Sequence, residues 1–402
     1  MRIARIALIA GLAWSLGARA EDRRPLILVH TMTWFASKPV SGAWGWHWTM
    51  GRLDPERVDA SGRRAIAAHN SPEIGPYDSS DPAVLEYHAL LMKVAGIDGA
   101  IADWYGNEDF NDYATIHRNT AALFDALAKH GLKFAVCYED RAIKAMAEKR
   151  GLTPAEAVEH GRTHLRYCEA HWFGRPGYAK WEGKPLLLVF GPDYLAPTQW
   201  EEVFAGLKSP PAFFTLHERK APAIGSFAWP PMWRSKGGVL DPKDLDDYLD
   251  EFTKRPGAKM AGAWPGFHDF YQEAGLHPSY GRLDARDGET FRRTLGRALA
   301  SGNSYIQIAT WNDFGEGTSI EPARGYGYRY LEEIQDARRR AEGDRFPYRP
   351  ADLRLPLRIH GLRERHADRK AVDEAAKLLS DGDGTGAARR LDAPGVIAPQ
   401  GP

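Results

Sequence analysis

Asp81-Pro82-Ala83-Val84-Leu85-Glu86-Tyr87-His88-Ala89-Leu90-Leu91-Met92-Lys93-Val94-Ala95-Gly96-Ile97-Asp98-Gly99-Ala100-Ile101-Ala102-Asp103-Trp104 reads as one helix followed by one strand. An acid at the N-cap and Pro at the first helical position open a helix over Ala83–Val94. The short apolar run Gly99–Trp104 that follows is a buried strand. The same alternation extends both ways along the chain. Strands are predicted at Leu26–His30, Lys133–Tyr138, Leu186–Phe190, Ala212–His217, Ile224–Trp229, Met260–Trp264 and Tyr305–Trp311. Helices are predicted at Tyr113–His130, Pro154–Trp172, Thr198–Leu207, Pro242–Lys254, Gly288–Ala300 and Gly325–Ala341. Eight strands alternating with helices predict an α/β fold, a (β/α)₈ TIM barrel over residues 21–343. Pro210, Pro211, Pro222, Pro230 and Pro231 make the fifth and sixth strands the weakest. A doubly wound open sheet is the alternative, but the Gly-rich phosphate loop after its first strand is missing.

Outside the barrel the pattern changes. Arg2 and Arg5, the apolar stretch Ile6–Gly17 and the small residues of Ala18-Arg19-Ala20 make residues 1–20 an expected signal peptide. About 12 apolar residues are too few for the ~20 that span a bilayer, so no stable membrane insertion is expected after cleavage. The protein is therefore expected to be secreted or periplasmic. Residues 344–380 are expected to form a short helical extension, and 381–402, rich in Gly, Ala and Pro, to be disordered.

Of the 402 residues, 53 are basic and 53 acidic. That balance removes the long-range attraction on which nucleic-acid and membrane-surface binders rely. Cys137, in a predicted strand, and Cys168, in a predicted helix, are expected to be buried free thiols. No cofactor is implied. No His-Glu-x-x-His pattern points to a metal among His30, His47, His217 and His268.

The active site of such a barrel lies beyond the C-terminal ends of its strands. Strand 1 ends near Trp34, strand 2 in Asp103-Trp104, and strand 3 in Tyr138-Glu139-Asp140. Strand 7 ends in Trp264 with His268 just beyond, and strand 8 in Trp311-Asn312-Asp313-Phe314-Gly315-Glu316. The loop Trp44-Gly45-Trp46-His47-Trp48 adds three Trp within five residues, costly to expose without a ligand. Aromatics and carboxylates together suit carbohydrate: sugar C–H faces pack on Trp and Tyr, and acids, His and Asn bind hydroxyls. Glycosidic cleavage needs one acid for the leaving oxygen and a second carboxylate, and Asp313 and Glu316 share one loop.

Trp311-Asn312-Asp313-Phe314-Gly315-Glu316-Gly317-Thr318-Ser319-Ile320-Glu321-Pro322 resembles the signature loop of glycoside hydrolase family 99 and of the related family 71. Ile74–Pro82, Ala95–Gly99, Asp103–Gly106 and Tyr138-Glu139 look like other family 99 segments. The resemblance implies a (β/α)₈ endo-α-mannosidase-like enzyme with Glu316 as acid/base. Its signature has Glu at the position of Asp313, where it acts as base on the sugar's 2-hydroxyl. The Trp-Asn-Asp form instead looks like family 71, which implies an α-1,3-glucanase. Asp103, Trp104, Tyr138, Glu139, Trp34, Trp46, Trp264, His268, Trp311 and Asn312 are then the expected substrate-binding residues. A non-hydrolytic carbohydrate-binding barrel is the alternative from another class. An ester or amide hydrolase is disfavoured because no Gly-x-Ser-x-Gly elbow is present.

Overall fold

The computed structural model describes residues 24–365, 368–394 and 396; the expected signal peptide lies outside the described residues. Eight parallel strands form the centre: β1 Leu26–Thr31, β2 Gly99–Trp104, β3 Lys133–Tyr138, β4 Lys184–Val189, β5 Ala212–Leu216, β6 Gly225–Phe227, β7 Ala258–Ala263 and β8 Tyr305–Ile308. Each pairs with the next, and β8 returns to β1 with Leu26 opposite Tyr305 and Val29 opposite Ile308. The barrel is closed, as the sequence predicts. Gly99 marks the tightest approach, since a Cβ there would lie 2.0 Å from the Lys133 carbonyl oxygen on the neighbouring strand.

Eight helices accompany the strands: α1 Pro82–Ala95, α2 Tyr113–Lys129, α3 Arg141–Arg150, α4 Pro154–His171, α5 Pro197–Phe204, α6 Pro242–Lys254, α7 Glu289–Ala300 and α8 Arg329–Glu342. Asp81 caps α1 by accepting from the Ala83 N–H at 2.8 Å, and Thr153 with Glu156 forms a capping box on α4. Helix α3 was not expected. Its charged residues hide a narrow stripe of Ala142, Ile143, Met146 and Ala147, all buried at helical spacing. The proline-crowded link 217–224 between β5 and β6 holds turns rather than a helix. Strand β8 ends at Ile308, three residues short of the predicted Trp311, because the chain turns there into the loop that carries the acids.

Beyond α8, helices α9 Leu355–Glu364, α10 Arg369–Ser380 and α11 Gly384–Asp392 follow. The disorder expected from Asp381 onward is corrected by α11. Asp383 caps it through the Gly386 N–H at 2.7 Å, and Ala387 and Leu391 are buried. Its Gly and Ala content, taken for low complexity, permits close packing on α10. Helix α1 lies between the barrel and this layer and is buried almost throughout. Its Glu86 is held by Arg363 of α9 and Lys129 of α2. Cys137 and Cys168 are both buried and free. No helix among the described residues is long and apolar enough to cross a membrane.

One buried ion pair locks the foot of the barrel. Arg338 of α8 is 2% exposed. Its Nη2 donates to Asp98 Oδ2 at 2.5 Å and its Nε to the Gly96 carbonyl at 2.7 Å. Asp98 also accepts from the Ile27 N–H at 2.8 Å. The pair therefore joins α8, the α1–β2 turn and the start of β1. Arg24 also reaches Asp98 at 2.8 Å, and Glu342 lies 3.9 Å from Arg338 Nε. Removing one partner therefore leaves a partly compensated charge, which costs up to about 3–5 kcal/mol. Asp98→Ala should lower stability by that amount, read as the shift in urea midpoint, and Arg338→Met should cost less than Asp98→Ala.

Candidate active site

Side chains alternate along a strand, so neighbours at a strand end point to opposite sides. Asp103 of β2 and Glu139 after β3 point into the barrel mouth; Trp104 and Tyr138 point to the helices. The β8 loop brings the other acids to the same place. The Asp313 N–H donates to Thr310 Oγ1 at 2.8 Å, and Asp313 Oδ1 accepts from the Glu316 N–H at 2.9 Å. Asp313 thereby caps the turn on which Glu316 stands. The loop is pinned from the side where the His268 and Phe270 N–H groups donate to the Glu316 and Gly315 carbonyls, each at 2.9 Å. Tyr271 Oη donates to Glu316 Oε1 at 3.3 Å.

The four carboxyl groups of Asp103, Glu139, Asp313 and Glu316 border one cavity of about 200 Å³. Its walls include Trp34, Trp46, Tyr105, Trp229, Tyr271 and Tyr280. Trp34 stacks face to face with His47 at 4.1 Å between ring centres. Trp46 is 48% exposed at the rim. Neither Asp313 nor Glu316 is paired with an Arg or Lys among the described residues.

Burial dominates the electrostatics. Desolvation raises the Asp313 pKa to about 6, against the lowering effect of the Glu316 and Gly315 N–H groups. Glu316 is pushed well above the usual carboxylate range, first by desolvation and then by the charge of Asp313, while its hydrogen bond from Tyr271 opposes the shift. Glu139 rises to about 7 through desolvation, tempered by the positive charge of Arg141 and a hydrogen bond with Asp103. Asp103 is raised strongly by desolvation and by Glu139. Near neutral pH the site therefore holds protonated acid beside ionised acid, the division of labour needed for acid/base chemistry.

The expected substrate residues divide accordingly. Asp103, Glu139, Asp313, Glu316, Trp34 and Trp46 border the cavity. Six do not. Trp104 is fully buried, with Nε1 donating to His117 Nδ1 at 3.3 Å. Tyr138 is buried with its hydroxyl 2.8 Å from His164 Nδ1. Trp264 belongs to a separate apolar cluster beneath α6, and Trp311 packs edge-on against His88 in the core. Asn312 spends its amide on the scaffold, pairing with both main-chain polar groups of Met32 at 2.7 and 2.9 Å. His268 stacks on His69 at 3.7 Å and borders a different depression. Strand alternation was the signal that separates Asp103 from Trp104 and Glu139 from Tyr138. It also assigns Tyr105 to the cavity. Tyr271, Tyr280 and Arg141 carry no such signal, because they reach the cavity from loops and a helix start.

Acids facing a sugar-sized, aromatic-walled cavity at the mouth of a (β/α)₈ barrel are the arrangement that glycosidic cleavage requires. The family model described as glycosyl hydrolase family 99 matches residues 26–210. A glycoprotein endo-alpha-1,2-mannosidase-like protein of Danio rerio is 24% identical over 279 residues, 64% of this chain and 60% of that protein. The glycoprotein endo-alpha-1,2-mannosidase of Mus musculus is 24% identical over 282 residues, 63% of this chain and 56% of that protein. The chain thus spans under two thirds of these relatives' lengths. A solved family 99 endo-alpha-mannosidase from Bacteroides thetaiotaomicron shares the fold with a TM-score of 0.58 at 20% identity, over 79% of this chain and 98% of that one. The family match covers a little under half of the chain and makes it similar to glycoside hydrolase family 99.

Glu139 gives a stability test with a definite sign. Unfolded, its carboxyl ionises near its ordinary value of 4.5; folded, it holds its proton to about 7. Stability linked to this group is full below the lower value and is lost as pH rises to the upper one. Glu139→Gln should therefore narrow the drop in Tm between about pH 5 and about pH 8 measured by calorimetry.

Proposed function

We propose that this protein is an exported hydrolase of α-linked, mannose-containing glycans. The observation that carries the reading is the convergence of Asp313 and Glu316 from one turn on a cavity that Asp103 and Glu139 also enter. Glu316, held protonated by burial, donates to the leaving glycosidic oxygen. Asp313, the lower of the pair, stands ionised as the base, toward the 2-hydroxyl of the sugar or toward water. Asp103, Glu139 and Tyr105 bind hydroxyls beside the scissile bond. Trp34 and Trp46 offer faces for the sugar rings. The names of the mannosidase relatives and the family match support the mannose assignment.

One observation favours a second substrate. An Asp at position 313 is one methylene shorter than the Glu of the family 99 signature, and shifts the carboxylate by more than an ångström, enough to weaken a positioned proton transfer. The Trp311-Asn312-Asp313 form looks like that of family 71, which makes α-1,3-glucan the alternative substrate. Incubation with α-mannan, mannose-rich glycans and α-1,3-glucan, with the product anomer followed by NMR, separates the two. Release from mannan supports the first reading, and release from glucan alone replaces it.

Glu316→Gln should cut kcat on the confirmed substrate by about 10²–10⁴. Near-full activity in that variant would remove Glu316 from the acid role. The pH profile of kcat/KM should be bell-shaped. Activity falls on acidification as Asp313 takes a proton near pH 6, and falls on the alkaline side as Glu316 loses its own. Trp46→Ala should raise KM with little change in kcat, as expected for a rim contact made equally in ground and transition states.

A further inference from the structure

Away from the cavity, the loop after β2 meets the side of α4 that packs on Trp104 and Tyr138. His160 and His164 stand four residues apart on α4, and therefore on the same side of the helix. Glu108 of the loop faces both. Its Oε1 lies 2.8 Å from His160 Nδ1 and 3.8 Å from His164 Nε2, and one ligand atom from each residue falls within 4.8 Å of the others.

His164 is the informative member. It is fully buried, yet its Nε2 has no hydrogen-bond partner. Its other nitrogen, Nδ1, is 2.8 Å from the Tyr138 hydroxyl. That contact fixes the ring and, where Tyr138 accepts, leaves the Nε2 lone pair aimed at Glu108, the arrangement seen behind metal-bound imidazoles. Gly106 leaves room for the ring, since a Cβ there would come within 2.4 Å of it. A buried, unpaired ring nitrogen is a cost unless something binds it. Side chains of Glu108 and His160 are 25% and 23% exposed, so solvent reaches the site and a water can complete a four-coordinate shell.

We propose that Glu108, His160 and His164 bind one divalent transition-metal ion of the zinc class. Two imidazoles and a carboxylate suit zinc over calcium or magnesium, which prefer all-oxygen shells. The ion braces the loop 105–112 against α4. That loop carries Tyr105 of the cavity wall and Asp112, whose carboxylate is 3.5 Å from His47 Nε2. The role is structural, and it is independent of the hydrolase reading.

The test uses tag-free full-length protein, stripped with chelator and titrated with zinc chloride against a chromogenic competitor. Cobalt chloride serves in parallel as a visible-absorption probe of coordination. One equivalent should bind with micromolar or tighter affinity. His160→Ala and Glu108→Gln, both partly exposed and expected to fold, should each weaken it about tenfold or more. Asp313→Asn combined with Glu316→Gln should leave it unchanged. Binding weaker than micromolar overturns the proposal. So does tight binding that His160→Ala and Glu108→Gln leave intact, or that the cavity substitutions abolish.

Discussion

The site rests on the side-chain amide of Asn312. It takes a hydrogen bond from the Met32 N–H and returns one to the Met32 carbonyl, at 2.7 and 2.9 Å, and it donates a third to Tyr77 Oη at 2.9 Å. Tyr77 in turn donates to Glu321 Oε2 at 2.8 Å. Glu321 is fully buried and closes the far end of the same loop, with His88 Nε2 of α1 3.2 Å from its other oxygen. Three chain segments that are remote in sequence are thus tied at one point: the exit of β1, the approach to α1 and the acid-bearing loop. Buried polar groups are expensive unless satisfied, so this network specifies a single arrangement of the loop. Asp313 and Glu316 inherit that rigidity. The carboxyl pair is placed by side chains, those of Asn312, Tyr77 and Glu321, that lie outside the cavity.

Within the mouth, crowding does the remaining work. Four carboxyl groups bordering one cavity, each desolvated by burial, resist ionising together. Some keep their protons, and the backbone N–H groups aimed at Asp313 decide that it releases its proton more readily than Glu316. The two carboxyl groups are distinguished by what surrounds them more than by residue type.

Much of this was legible before any coordinates. The strands at Gly99–Trp104 and Lys133–Tyr138 were readable to the residue because both are short apolar runs bounded by turn signals. Asp313 and Glu316 were legible because a pair of acids three apart follows the last strand. Two things were harder. Trp104, Trp264 and Trp311 looked like sugar platforms because composition reports that an aromatic is present at a strand end, whereas its direction depends on the pleat. Tyr271 and Tyr280 lie in a long excursion after β7, and nothing local says that such a segment folds back across the mouth. Helices α9 and α10 fall in the expected extension, and only α11 was misjudged, because its small residues suggest a tail when read alone. The clue was in α1, whose run from Val84 to Met92 is mostly apolar and buried nearly all round, and such a helix needs cover on both sides.

That covering layer redefines where the protein can be shortened. A barrel counted strand by strand ends with α8 near residue 342. A truncation there would strip Arg363 from Glu86, leaving an acid with only Lys129 as counter-charge, and would uncover the apolar back of α1, which shares one continuous core with Leu362, Val372, Leu379 and Leu391. The smallest self-sufficient piece is therefore longer than the barrel it contains, and it runs past residue 392 to include Val396.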